Sequence, residues 1–220
     1  MDAVFPRSYW NKRFRSFVNL SNVDPAWKSL IKLQKPPQDQ IEVDRELDDL
    51  MQKKLTGREE RLSEILYEAD ALTKDFSRAL VMNDVSHPAT AEVIDAIVIA
   101  GRLAHFHYKE QFQRPRPSQL RPDIAPVIDV PEHPAYPSGH ANQHFMIAMA
   151  LTEFAPQYQQ RLFDIATRVS ENREYAGVHF KSDTEAGKDL ARQFFPFVRK
   201  AYAEEFDRAR KEWPSPSPSP

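Results

Sequence analysis

Residues 93–103 read VIDAIVIAGRL and are the best candidate in the chain for a buried helical segment. Apolar side chains cover most of the surface of a helix built from this run, which is typical of a helix at the centre of a bundle. Asp95 and Arg102 interrupt the run before it is long enough to cross a bilayer. We therefore predict a long central helix from about Ala89 to Phe112, beginning after the break at Pro88.

Apolar residues recur at helical spacing in several other stretches. The pattern predicts further helices over residues 40–54, 58–82, 139–154, 157–174 and 182–212. No stretch alternates apolar and polar residues with the β-branched enrichment of a strand. The predicted fold class is all-α, a single helical bundle domain. We expect an irregular N-terminal arm over 1–37, the catalytic domain over 38–212 and a disordered Pro/Ser tail over 213–220.

Composition excludes several classes of function. The formal net charge of −2 gives no electrostatic case for nucleic acid or an anionic membrane as a partner. The absence of cysteine rules out disulfides, thiol nucleophiles and cysteine metal sites. No membrane span and no secretion signal is evident, so we expect a cytoplasmic protein, or a periplasmic one if a leader was removed. The proline-rich arm is able to embrace a second copy in a homo-oligomer.

The stretch Tyr136–His140 leads from a proline-rich loop, residues 114–137, into a predicted helix. Ser138 is placed to cap that helix, which puts Gly139 and His140 in its first turn. A helix N-terminus offers unpaired N–H groups and partial positive charge, and a glycine there allows close approach to the backbone. The stretch therefore suits an anion, although an ordinary capped helix with a surface histidine is the favoured interpretation when it is taken alone, because capping serines are common.

Three clusters together point to chemistry, and each lies at a predicted helix end. They are Lys109-x6-Arg116-Pro117, Pro137-Ser138-Gly139-His140 and Asn172-Arg173-x5-His179-x3-Asp183. If the helices pack side by side with short connections, these ends meet at one mouth of the bundle. Cations, histidines and a carboxylate suit a tetrahedral oxyanion, because phosphoryl transfer needs positioning and neutralisation of charge. One histidine is then able to attack phosphorus while a second protonates the leaving alcohol.

In this order and spacing the clusters resemble the signature of the type-2 phosphatidic acid phosphatase superfamily. That family includes bacterial class A acid phosphatases, lipid phosphatases and vanadium haloperoxidases, and its fold is an all-α bundle. The match spans residues 109–183, and Asn172 stands where the family usually has serine. The lack of spanning segments favours the soluble members. We expect asparagine at position 172, in place of the usual serine, to tune the site rather than abolish function.

The resemblance implies a role for each residue of the clusters. It makes His179 the nucleophile, Asp183 the acid that orients it and His140 the general acid. The phosphate-binding residues would be Lys109, Arg116, Ser138, Gly139 and Arg173. The implied activity is a metal-independent phosphomonoesterase of the acid phosphatase type acting on a small soluble phosphate ester. No cofactor is expected, except vanadate if the chain is instead a haloperoxidase.

Other readings stay open at this point. His140 and His144 have the spacing of a zinc pair, but no third ligand accompanies them, and we predict no metal site. Arg114 is interpreted as a solvated loop charge, because the spacing from Lys109 selects Arg116. His105 and His107 are interpreted as packing or supporting residues. A non-catalytic helical module that retains an anion site is the remaining alternative.

Overall fold

A computed structural model describes residues 12–70 and 73–213, with side chains described from Ser16 to Ala69 and from Thr73 to Trp213. Within these ranges the chain is helical and contains no β-strand, which confirms the predicted fold class. The α-helices are α1 (Lys12–Leu20), α2 (Trp27–Leu30), α3 (Gln40–Thr56), α4 (Arg58–Asp70), α5 (Lys74–Ala79), α6 (Pro88–Phe112), α7 (Pro117–Leu120), α8 (Gly139–Phe154), α9 (Gln159–Tyr175), α10 (Lys181–Ala201) and α11 (Ala203–Arg210).

Helix α6 runs through the main hydrophobic core, as its apolar run predicts. Val93, Ala96, Ile97 and Ala100 on this helix are all 0% exposed. Helices α1, α8, α10 and α11 pack against α6, and α9 completes the core by packing on α8. None of the helices in the described ranges has the length and hydropathy needed to cross a bilayer.

Two predicted helices are each divided in the structure. The pattern over 58–82 gives α4 and α5 rather than one helix, and Leu66 on its predicted apolar stripe is 49% exposed. The pattern over 182–212 gives α10 and α11, separated at Tyr202. The ring of Tyr202 is buried and its hydroxyl donates to the Ser16 carbonyl at 2.8 Å. Contacts with distant segments thus accompany a break that helical periodicity does not reveal.

The segment before residue 38 contains two helices, α1 and α2, where the sequence predicts irregular chain. Trp27 of α2 is 1% exposed and lies edge-on against Phe194. The Tyr108 hydroxyl of α6 donates to the Ile31 carbonyl at 3.1 Å. The part of the arm that the structure describes therefore packs on the central helices. The predicted tail beyond Trp213 lies outside the described residues.

A residue at the end of the described chain caps the start of α6. The Glu212 carboxylate accepts hydrogen bonds from the backbone N–H groups of Ala89 and Thr90 at 2.7 and 2.9 Å. The first N–H groups of a helix have no partner within the helix, and a carboxylate also complements the positive end of its dipole. A residue distant in sequence therefore caps the central helix.

Candidate active site

The predicted site residues lie where helix ends meet. Lys109 is in the last turn of α6, Ser138 caps α8, and Arg173 is in the last turn of α9. His179 lies two residues before the start of α10, and Asp183 is in the first turn of that helix. The backbone N–H of Ser138 donates to the Asp183 carbonyl at 2.9 Å, which joins the starts of α8 and α10.

Glycine allows this close approach between α8 and α10. A Cβ atom at Gly187 in α10 would lie 2.6 Å from the Ser138 carbonyl oxygen and 2.7 Å from the Ala141 Cβ. Only a residue without a side chain fits between these groups. The second and third sequence clusters are thus brought together by a glycine that belongs to neither.

His179 and Asp183 form the contact that their spacing predicts. His179 Nδ1 lies 3.0 Å from Asp183 Oδ2, and that same oxygen accepts the Phe180 N–H at 3.0 Å. This bond links Asp183 to the residue that precedes α10, and Ser182, the first residue of the predicted helix, lies within α10. The acid is held by backbone as well as by the ring.

The neighbours of His179 determine its tautomer. A carboxylate only accepts, so Nδ1 carries the proton that it donates to Asp183. Arg116 Nη1 lies 3.1 Å from His179 Nε2, and a guanidinium only donates, so Nε2 presents its lone pair. Burial and the charge of Arg116 hold the pKa of His179 well below its usual range, which keeps the ring neutral. A neutral imidazole with a directed Nε2 lone pair is a nucleophile.

Arg116 is fixed by the proline-rich loop and by the turn before His179. Its Nε donates to the His133 carbonyl at 3.0 Å, and its Nη1 also donates to the Val178 carbonyl at 2.7 Å. Arg116 Nη2 lies 3.0 Å from His133 Nδ1, while burial and Lys109 lower the pKa of His133 to about 4. Sequence reasoning missed His133, whose only signal is its place in the loop between the first two clusters.

Lys109 and Arg173 bring two more buried cations to the pocket. Lys109 Nζ donates to the carbonyls of Pro134 and Ala135 at 2.6 and 2.8 Å, and this holds the loop that leads to Ser138. Arg173 Nη2 donates to the Ile65 carbonyl at 3.1 Å and lies 3.6 Å from Glu68. Arg173 Nε is buried and has no partner in the described part of the chain, so a donor is left for an oxyanion.

His140 is half-buried in the first turn of α8. Burial, followed by Arg173, His144 and His179, keeps its pKa well below the usual value. Its ring stacks on that of His144 at 5.8 Å, while the His140 carbonyl contacts His144 Nδ1 at 2.8 Å. Within the described residues no group of three or more metal-ligating side chains accompanies this pair.

Gly139 has a different neighbour from the one that its sequence context suggests. A Cβ atom there would lie 2.9 Å from Cε1 of His105, so an imidazole occupies the space that we predicted for a ligand. The backbone N–H of Gly139 remains at the start of the helix, where the predicted anion contact requires it. His105 is 5% exposed, and burial lowers its pKa well below normal.

Arg114 is not the solvated charge that sequence spacing indicates. Its side chain is 5% exposed and donates to Asp183 Oδ1 at 2.6 Å. It also donates to Glu46 of α3 at 2.6 Å and to the Ser182 hydroxyl at 2.7 Å. The Arg114-Pro115 dipeptide copies the next one, Arg116-Pro117, and only the fold distinguishes their roles.

Asn172, which departs from the usual family pattern, lies behind the pocket. Its side-chain nitrogen donates to Glu64 and Glu68, each at 2.8 Å, and its oxygen accepts from Arg61 at 3.1 Å. Glu68 in turn faces Arg173. The asparagine therefore acts on the site through the carboxylate that accompanies Arg173.

The geometry defines a helical protein with buried cationic side chains gathered around a directed histidine. A sequence profile described as the PAP2 superfamily matches residues 91–206, which is more than half of the chain. The chain belongs to the PAP2 superfamily, the family that its clusters resemble.

Comparison with solved structures agrees with the fold. The chain is similar to a protein described as the first transmembrane PAP2 type phosphatidylglycerolphosphate phosphatase from Bacillus subtilis, with 19% identity and a TM-score of 0.53. The similarity covers 88% of this chain and 96% of that chain. A comparison with curated proteins finds no significant match.

Proposed function

We propose that the chain is a metal-independent phosphomonoesterase of the acid phosphatase type, acting on a small soluble phosphate ester. The observation that carries this proposal is the His179 ring, with Nδ1 bonded to Asp183 and Nε2 directed at Arg116. Family membership supports a phosphatase. The described relative is named as a phosphatase, which agrees with this reaction class.

The phosphoryl group of the substrate occupies the cationic pocket. Its oxygens accept hydrogen bonds from the Arg116 N–H groups, which then no longer face His179 Nε2. They also accept from the free Nε of Arg173. Lys109 adds a point charge, and Ser138 with the Gly139 N–H completes the contacts. Preorganised donors of this kind stabilise the charge on the transferring group.

The reaction then proceeds in two displacements at phosphorus. His179 Nε2 forms a bond to phosphorus as the ester P–O bond breaks, and His140 transfers a proton to the leaving oxygen. Bound phosphate raises the pKa of His140 from its low value by offsetting the charge of Arg173, so the ring is able to carry that proton. Water next attacks phosphorus, the N–P bond breaks, and the water proton returns to His140.

Substitution of the two histidines tests the proposal with p-nitrophenyl phosphate and an alkyl phosphate as substrates. We expect His179→Ala to lower kcat by roughly 10³- to 10⁴-fold on both substrates. His140→Ala should lower the rate most for the alkyl ester, because its poor leaving group needs the proton. Unchanged turnover in His179→Ala would refute the nucleophile, and equal losses in His140→Ala would refute the general acid.

The reaction class is tested with the same purified sample. Activity should persist in a chelator, because side-chain cations neutralise the phosphate. Vanadate should inhibit, because it has the shape and charge of phosphate. Oxidation of bromide with vanadate and peroxide, in the absence of ester hydrolysis, would replace the phosphatase proposal with the haloperoxidase alternative.

A further inference from the structure

The side chain of Arg114 connects the acid of the site to helix α3. Arg114 Nη1 donates to Asp183 Oδ1, and Arg114 Nη2 donates to Glu46 Oε2, each at 2.6 Å. The guanidinium also lies 3.8 Å from the centre of the Phe180 ring. With the ring below it and acceptors on two of its nitrogens, Arg114 has little freedom to move.

Asp183 depends on this guanidinium for one of its two oxygens. Oδ2 is used by His179 Nδ1 and the Phe180 N–H, whereas Oδ1 accepts from Arg114 Nη1. Asp183 is 0% exposed, so a carboxylate oxygen that lost its donor would stay buried without compensation. Arg114 therefore sets the orientation in which Asp183 meets the nucleophile.

Glu46 balances the charge of Arg114 from the opposite side. Its Oε1 accepts the Ser182 N–H at 2.9 Å while its Oε2 takes Arg114, so α3 is joined both to the start of α10 and to the loop. Glu46 lies outside residues 91–206, the part of the chain that matches the family profile. Helix α3, which lies outside the matched region, is thus connected to the site by the buried side chain of Arg114.

We infer that Arg114 and Glu46 are positioning residues that act on His179 through Asp183. The inference rests on the proposed function for its effect on turnover, but its effect on His179 is measurable without turnover. Removing Arg114 leaves the negative charge of Asp183 uncompensated beside the imidazole, whereas removing the Glu46 charge leaves Arg114 uncompensated. The two changes therefore act on the protonation of His179 in opposite directions.

The direction of each expected change in the pKa of His179 follows from the other charges around its ring. The titratable and charged groups that face it from α6, the proline-rich loop, α8, α9 and α10 are Lys109, Arg116, His133, His140, Arg173 and Asp183. Burial and then the cations lower the pKa of His179, and Asp183, whose Oδ2 lies 3.0 Å from His179 Nδ1, is the anion beside the ring. A change in the effective charge on Asp183 should therefore move the titration of His179.

The experiment measures the imidazole ¹⁵N shifts of His179 against pH in the full chain, with His179→Gln identifying the signals. We expect the His179 midpoint to rise in Arg114→Met and to fall in Glu46→Gln. Arg114→Lys keeps the charge but has one nitrogen to share between Asp183 and Glu46. In Arg114→Lys, kcat on p-nitrophenyl phosphate should fall about 10- to 100-fold with the midpoint close to wild type.

Arg121 and Asp48 provide a matched control. They form an ion pair at 2.7 Å between the same loop and the same helix, but Asp48 is 71% exposed and neither residue touches Asp183. Arg121→Met and Asp48→Asn should leave both kcat and the midpoint of His179 near wild type. Equal shifts in the control and test pairs would refute the inference, as would an Arg114→Met enzyme with wild-type kcat and midpoint.

The two proposals fail separately. If the wild type hydrolyses no phosphate ester, the proposed function is wrong, and the ¹⁵N titrations still decide the roles of Arg114 and Glu46. If Arg114→Met does not fold, Arg114→Lys and Glu46→Gln carry the test, because each retains a polar group at its position. A midpoint in Glu46→Gln that rises or does not move would then overturn the inference.

Discussion

Individual residues around the pocket are constrained by partners that a short motif does not contain. The motif histidine His179 is directed by Asp183, and Asp183 is itself held by Arg114. His133 and Glu68 similarly accompany Arg116 and Arg173. In the proposed function the motif supplies groups that bind or attack phosphate, whereas these partners determine how those groups are oriented and charged.

Arg173 gives a prediction at this scale. Because its Nε is a buried donor without a partner in the described chain, Arg173→Lys should weaken inorganic phosphate binding. Loss of one charge-assisted hydrogen bond corresponds to about 10- to 100-fold in affinity. Calorimetric titration with phosphate measures this. Arg199→Lys, on an arginine paired with Glu153, is the control. Equal affinity in wild type and Arg173→Lys would show that Nε does not contact the anion.

Helices meet at the site through small residues and through side chains from outside the family match. Gly187 lets α10 approach the cap of α8. Arg58 of α4 is 6% exposed and its guanidinium donates to the carbonyls of Ile124 and Ala125 at 3.0 and 2.9 Å. It also donates to the Tyr175 carbonyl at 2.6 Å, which joins the proline-rich loop to the end of α9. Side chains from α3 and α4 thus support the candidate active site.

Gly187→Ala tests the approach of α10 to α8. Alanine in place of glycine ordinarily stabilises a helix by about 0.4–1 kcal/mol. Here its Cβ would contact the Ser138 carbonyl oxygen at 2.6 Å, so we expect a loss of about 1–3 kcal/mol and a lower kcat. Urea unfolding and initial rates measure both effects.

Glu185→Ala, at an exposed position on the same helix, is the control for Gly187→Ala. It should change stability and kcat little, because surface substitutions away from special contacts usually have small effects. A stabilised and fully active Gly187→Ala protein would show that α8 and α10 do not depend on this contact.

The whole molecule keeps several cations and neutral histidines buried together at one end of the bundle. His105 and His179 are 5% and 3% exposed, and burial lowers the pKa of each well below 6.5. In the unfolded chain both imidazoles regain ordinary values and bind protons below about pH 6.5. The unfolded state then holds more protons than the native state, so stability falls as the pH falls through this range.

We therefore expect the free energy of unfolding to fall by about 2–3 kcal/mol between pH 7 and pH 5.5 because of these two rings. Urea unfolding at several pH values measures this slope. His105→Gln should remove about 1 kcal/mol of the measured fall, because the lowered pKa values of His133 and His140 act in the same direction as those of His105 and His179. His87→Gln, in the turn before α6, is the control substitution. A slope that is the same in His105→Gln and wild type would contradict the assignment.

Much of this architecture is readable from the order of residues. The apolar run at 93–103 predicts the central helix because burial on all faces needs apolar residues on all faces. Helices α3, α6, α8 and α9 begin and end close to their predicted residues, since periodicity and capping act over a few positions. The spacing of His179 and Asp183 also fits their contact, because residues four apart at the start of a helix are close in space. These features depend on local geometry, which is determined by residues that are close together in the sequence.

Other features depend on which distant groups become neighbours. The break at Tyr202, the packing of helix α2 and the burial of Arg114 depend on partners far away in sequence. Arg114 and Arg116 have the same residue type and the same following proline, yet Arg114 contacts Asp183 and Arg116 faces His179. Only packing distinguishes them, because the desolvation and charge that set their roles arise from α3 and α10 once these helices meet around the loop.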